Sequence, residues 1–90
     1  MYSVDIGCGT LKRAEIGVDI KKYFKDNKYY PDIIADAHYL PFKDNKFKEA
    51  RGHNLIKHYL NPFQVLEEIK RIANDRIILS TDNGYYWRWN

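Results

Sequence analysis

Between Gly9 and Ile16 the chain has only the polar stretch Thr10-Leu11-Lys12-Arg13-Ala14-Glu15, and a short apolar run stands on either side of it, Val4 to Ile6 before and Ile16 to Ile20 after. The first run stops at Gly7-Cys8-Gly9, a glycine-rich turn, and the second carries Asp19 near its end. Short apolar runs that halt at turn residues read as strands. A link this brief cannot hold a full helix, because helix nucleation alone consumes most of its length. Two strands joined almost directly through Gly-Cys-Gly are therefore the constraint from which the rest of the fold follows.

Further along, Asp32 to Asp36 reads as a third strand and Phe47 to Gly52 as a weaker fourth. Lys21 to Tyr30 mixes Lys, Asp and Tyr without clear periodicity and would hold at most a short helix before Pro31. Ala37 to Lys46 reads as an irregular connection, with a turn at Lys43-Asp44-Asn45. The best helix starts at Asn61-Pro62. Asn61 can cap it, Pro62 suits its first position, and Gln64 stands where a capping box closes. Val65, Leu66, Ile69, Ile72 and Ala73 form its apolar stripe, and Asn74 offers a left-handed stop. Ile77 to Ser80 makes a fifth strand, followed by the aromatic tail Tyr85-Tyr86-Trp87-Arg88-Trp89. Apolar strands ending in Asp or Gly, with a helix between the last two, predict an α/β layer with a largely parallel sheet, in one domain of 90 residues.

Composition excludes more than it selects. Hydrophobic residues make up 44% and charged residues 30%, which is incompatible with a disordered chain. The longest apolar stretches fall far short of the ~20 residues of a membrane helix, and no signal pattern is present, so a cytoplasmic protein without membrane attachment is expected. Cys8 has no partner for a disulfide, and no Cys/His spacing suggests a metal site. A net charge of +3 permits an anionic partner without demanding one.

Ligands of parallel sheets bind at the carboxyl ends of the strands. Asp5, Gly7, Cys8, Gly9, Asp19, Asp36 and the pair Gly52-His53 all stand at or just past those ends. A dinucleotide fingerprint needs a third glycine where Lys12 stands, and a phosphate-binding loop needs a Gly-Lys-Ser/Thr that is absent. Asp19 can accept both hydroxyls of a ribose, or be a solvated strand end. Asp36 can accept from an adenine amino group, with the Ala37 N–H addressing the ring, or simply form a turn.

These residues resemble the class I S-adenosylmethionine-dependent methyltransferases, especially small members in which a Gly-Cys-Gly loop runs into a Gly-Val-Asp strand. The resemblance extends through Asp36-Ala37-His38-Tyr39-Leu40-Pro41-Phe42-Lys43-Asp44-Asn45-Lys46-Phe47 and through His53 to Ile72. It covers nearly all of residues 4–82. It implies a Rossmann-like three-layer fold with strand order 3-2-1-4-5 and S-adenosylmethionine as cofactor. It further implies Asp5 and the loop Gly7-Cys8-Gly9 around the methionine moiety, Asp19 on the ribose, and Ile20, Asp36 and Ala37 at the adenine. Gly52 and His53 would border the sulfonium, with His53 as the candidate for a catalytic role.

The chain also departs from that pattern. The helix expected after the glycine loop is replaced by residues 10–15, so Lys12 or Arg13 is expected to supply the positive charge for the methionine carboxylate. Lys48 and Lys57 stand where such proteins commonly carry acids. The last two strands of the family sheet are expected to be missing, which would leave the fifth strand as an edge. Tyr85, Tyr86, Trp87 and Trp89 are then expected to anchor a homodimer or a partner protein, while Arg88 between two Trp residues could stack on nucleic-acid bases. The sequence thus supports a minimal methyltransferase of unknown acceptor. Its alternatives are a catalytically silent binder or scaffold of the same fold, and a nucleic-acid-binding module.

Overall fold

A computed structural model describes residues 2–55, 61–81 and 86–89, the last of these as backbone. In chain order the elements are β1 (Ser3–Ile6), β2 (Ile16–Asp19), β3 (Tyr23–Lys25), β4 (Lys28–Tyr30), β5 (Ile33–Ile34), β6 (Phe47–His53), α1 (Pro62–Ile72), β7 (Ala73–Ser80) and β8 (Tyr86–Trp89). The main sheet has the order β5-β2-β1-β6-β7-β8. All its neighbours are parallel except β7 and β8, which pair antiparallel from Ile77↔Trp89 to Ser80↔Tyr86. The expected five-strand parallel order is therefore present, in a Rossmann-like α/β arrangement.

The register divides the sheet into two unlike faces. Val4 lies between Ile16 and Ala50, Ile6 between Val18 and Gly52, and Ala50 and Gly52 lie beside Ile77 and Leu79. Side chains alternate along a strand, so these residues share one apolar face. Helix α1 lays Val65, Ile69 and Ile72 on it, and Leu40, Phe47 and Leu55 complete the core. The opposite face carries Ser3, Asp5, Asp19, Glu49, Arg51, His53 and Ser80. Glu49 there binds Arg51 at 2.7 Å and Arg76 at 3.6 Å. Of the three layers expected, the described residues supply two, because the loop at 10–15 takes the place of a helix on the polar face.

Helix α1 begins as its sequence dictates, with the Asn61 side chain accepting from the Gln64 N–H at 3.2 Å and proline in the first turn. It ends differently. Ala73 is extended (φ −91°, ψ 125°) and pairs at once with Phe47, so β7 starts at Ala73 and no left-handed stop forms at Asn74. Sheet pairing overrides the local stop signal here.

Residues 21–30 form a hairpin, β3–β4, in place of the short helix expected. Asp26 and Asn27 take φ of 53° and 62°, the left-handed pair that a two-residue hairpin turn requires and that Asn and Asp tolerate. The expectation of an exposed edge at the fifth strand is also corrected: β8 covers β7, because the backbone groups of β7 find partners within the same chain. The tail's aromatic side chains and Lys57 lie outside the described residues. No described helix is long and apolar enough to cross a membrane.

Candidate functional site

The glycine turn closes onto the end of β2. The N–H groups of Gly7 and Cys8 both donate to the Val18 carbonyl, at 2.7 and 3.1 Å. Gly7 and Gly9 have φ of 73° and 56°, conformations that side chains resist. The Gly9 N–H donates to Asp19 Oδ2 at 2.9 Å, and the Lys21 N–H to Asp19 Oδ1 at 3.1 Å. One carboxylate thus ties the loop to the chain leaving β2. Each of its oxygens keeps further acceptor capacity, since an ionised carboxylate offers about four lone-pair positions. A Cβ placed on Gly9 would meet nothing within 4 Å, so the space beside this backbone is open.

That space belongs to a cleft of about 480 Å³ at the carboxyl ends of β1, β2 and β6, lined by Gly7, Gly9, Asp19, Ile20, Lys21, Tyr23, His53, Asn54 and Leu55. Its volume falls in the range of small-molecule sites, roughly 300–1,000 Å³. Of the residues expected from sequence, it gathers Gly7, Gly9, Asp19, Ile20 and His53. Ile20 is 53% exposed, an apolar side chain left available beside the carboxylate. The sequence reading missed Lys21, Tyr23, Asn54 and Leu55. Asn54, directly after the predicted fourth strand, takes a left-handed φ of 55°, a conformation asparagine tolerates.

The remaining expected residues lie elsewhere. Asp5 is 1% exposed and sits on the polar sheet face. Its Oδ2 accepts from the Arg13 N–H at 2.9 Å, while Oδ1 has no hydrogen-bond partner. Burial raises the pKa of this carboxyl; the Arg13 N–H and the charges of Arg13, Arg51 and His53 oppose that shift. Cys8 directs its thiol inward, against Gly17. Burial first, and the nearby carboxylates of Asp5, Asp19 and Asp32 second, push that thiol up to about 12. Gly52 lies under Leu55, whose Cδ2 would stand 2.8 Å from any Cβ added there. Asp36 accepts from the His38 N–H at 2.9 Å and meets His38 Nδ1 at 2.7 Å, contacts that hold its carboxyl below the usual range. Neither Asp36 nor the buried Ala37 is part of the cleft lining.

Lys12 is committed as well. Its ammonium binds Asp32 Oδ2 at 3.1 Å, and the same oxygen accepts from the Gly17 N–H at 2.8 Å. Neither Lys12 nor Arg13 lines the cleft, so the cation placed there is Lys21 instead. His53 stands on the opposite wall, and its Nδ1 lies 2.8 Å from Ser80 Oγ on the neighbouring strand. This contact orients the imidazole whichever nitrogen carries the proton.

A parallel sheet whose first strand ends in a glycine loop, with an aspartate ending the adjacent strand, defines a Rossmann-like α/β fold. Known proteins agree with that class. A SAM-dependent methyltransferase of Thermotoga maritima superposes with a TM-score of 0.70 at 25% identity, over 86% of this chain and 42% of its own. A Pyrococcus horikoshii protein superposes with a TM-score of 0.69 at 25% identity, over 90% of this chain and 49% of its own. An uncharacterized protein of Methanocaldococcus jannaschii is 30% identical across 98% of this chain and 39% of its own length. The chain therefore spans less than half of each of these relatives. No family model matches it.

Proposed function

We propose that the cleft binds S-adenosylmethionine and that the chain serves an S-adenosylmethionine-dependent methyltransferase whose acceptor its residues do not specify. The observation that carries this reading is the convergence, in one cleft, of the Gly7–Gly9 backbone with Asp19 and Ile20. The residues fit the group: the open space at Gly9 admits a ligand against bare backbone, Asp19 retains acceptor capacity for ribose hydroxyls, Ile20 offers an apolar surface to adenine, and the Lys21 ammonium complements a carboxylate. When bound, the cofactor supplies a methyl group already activated on sulfur. The work left to the chain is binding and orientation, which alone accounts for large rate effects, so an obvious general base is not required. His53 and Leu55 bound the cleft on the β6 side.

Isothermal titration with S-adenosylmethionine and with its demethylated product tests the reading. Saturable binding of both is expected, weakened roughly tenfold or more in Asp19→Ala, consistent with loss of a hydrogen bond to a charged group. A flat titration with both ligands at millimolar concentration would overturn it. Product formation then separates a methyltransferase from a silent binder of the same fold.

A further inference from the structure

The hairpin β3–β4 is separate from the main sheet, and its composition differs from the rest of the chain. Residues 21–30 hold Lys21, Lys22, Lys25 and Lys28 together with Tyr23, Phe24, Tyr29 and Tyr30, against a single acid, Asp26. Phe24 pairs with Tyr29 across the ribbon, which puts the two rings on one face with centroids 5.0 Å apart. The Lys22 ammonium stands 4.3 Å from the centroid of the Tyr29 ring. Both rings are largely in water, Phe24 at 61% and Tyr29 at 67% exposed. A folded chain ordinarily buries aromatic side chains, and clustered exposed ones mark contact surfaces. The lysines along the ribbon are exposed too.

We infer that this face of the hairpin docks single-stranded nucleic acid, with bases stacking on Phe24 and Tyr29 and a backbone phosphate meeting Lys22 on the same face; Lys25 and Lys28, paired with each other beside the turn, belong to the other face. Aromatic faces interleaved with ammonium groups match a ligand that alternates flat bases with anionic linkers. An acidic peptide would engage the lysines and leave the rings unused. The left-handed turn at Asp26-Asn27 fixes the register of the ribbon, so the platform is formed before any ligand arrives. Tyr23, at the base of the ribbon, lines the cleft and belongs to the face opposite Phe24 and Tyr29. The inference does not depend on what the cleft holds.

Fluorescence anisotropy of the full chain with a fluorescein-labelled oligothymidylate tests it, read at several salt concentrations. Phe24→Ala/Tyr29→Ala is expected to weaken binding roughly tenfold or more, in line with the loss of base stacking. Phe24→Leu/Tyr29→Leu, which keeps apolar bulk without the aromatic faces, is expected to lose a similar factor. Lys22→Ala should flatten the slope of log affinity against log salt by about 0.7, the contribution of one lost phosphate contact on a single strand. Lys43→Ala/Lys46→Ala, on the exposed turn before β6, should leave affinity within about twofold. Equal weakening in that control, no binding of the oligonucleotide, or ring-dependent capture of phosphatidylserine vesicles without ring-dependent oligonucleotide binding would each overturn the proposal. Neither Phe24 nor Tyr29 belongs to the core, so unchanged circular dichroism of the variants is expected and separates lost binding from lost folding.

Discussion

Gly17 is where the short link between β1 and β2 comes down onto the sheet. A methyl group there would stand 2.8 Å from Cys8 Sγ, 3.3 Å from Cys8 Cβ and 3.1 Å from Lys12 Cδ. The first two distances involve a buried side chain beneath the glycine loop and cannot be relieved without shifting that loop. Gly17→Ala is therefore expected to cost about 1–3 kcal/mol, the usual range for overpacking a tight interior, as measured by urea unfolding. In a Cys8→Ala background the same change should cost less, with a coupling of at least about 0.5 kcal/mol; additive costs would show that the strain lies elsewhere. A thiol buried this way and raised in pKa is a packing group, not a nucleophile. The Gly-Cys-Gly turn and Asp19 were legible in the sequence because their chemistry is local. The contact between Cys8 and Gly17 was not, since only the return of the chain onto β2 makes those residues neighbours. The commitment of Lys12 to Asp32 was hidden for the same reason.

At the level of elements, the connection before β6 is held to α1 by several side chains, among which Arg71 makes the most contacts; Gln64 also donates to the His38 carbonyl at 2.9 Å. Arg71 donates to the carbonyls of Leu40 (2.9 Å) and Phe42 (2.6 Å), to Asp44 (2.9 Å) and to both oxygens of Glu68 (2.8 and 3.0 Å). Glu68 in turn accepts from the Leu40 N–H at 2.7 Å. A guanidinium presents donors in a fixed fork, whereas an ammonium of similar reach cannot serve four partners at once. Arg71→Lys is therefore expected to lose about 2 kcal/mol, the scale of hydrogen bonds to charged groups left unmade. Urea titration checks this; a loss below about 0.5 kcal/mol would show that the connection holds without the Arg71 fork, through the Glu68 and Gln64 contacts and the edge-to-face pair Phe42–Phe47 at 4.9 Å. The helix itself was readable from its cap, proline and stripe. This clamp was not, because sequence shows a charged residue on the solvent side of a helix and nothing of the backbone carbonyls it meets. The β3–β4 hairpin was misread for a different reason. Its strands are too short to display alternation, so the Asp26-Asn27 turn was the one available sign.

The whole molecule is a sheet with one apolar face covered by a single described helix and one polar face bearing Asp5, Glu49, Arg51 and Arg76. A domain of this size buries little more than ~60% of its unfolded surface, so each covered edge matters. The parallel strands were legible because most ended in a recognisable turn residue, and their order followed from the family resemblance. The cover over β7 was not, because an aromatic tail looks the same in sequence whether it meets its own sheet or another molecule. Removing residues 82–90 would strip β8 from β7 and open the edge along the four residues it pairs, Ile77, Ile78, Leu79 and Ser80. Unpaired edges of this kind recruit strands from other chains. The truncated chain is expected to associate at micromolar concentration and to unfold at lower urea than the full chain, as followed by light scattering and circular dichroism. The full chain in the same light-scattering measurement tests the homodimer proposed for the tail: a dimer mass supports it, and a monomer mass removes it and leaves only the partner protein. If the truncated chain stays monodisperse with an unchanged urea midpoint, β8 contributes nothing to the sheet, and the protection of the β7 edge must come from the charged groups on the polar face.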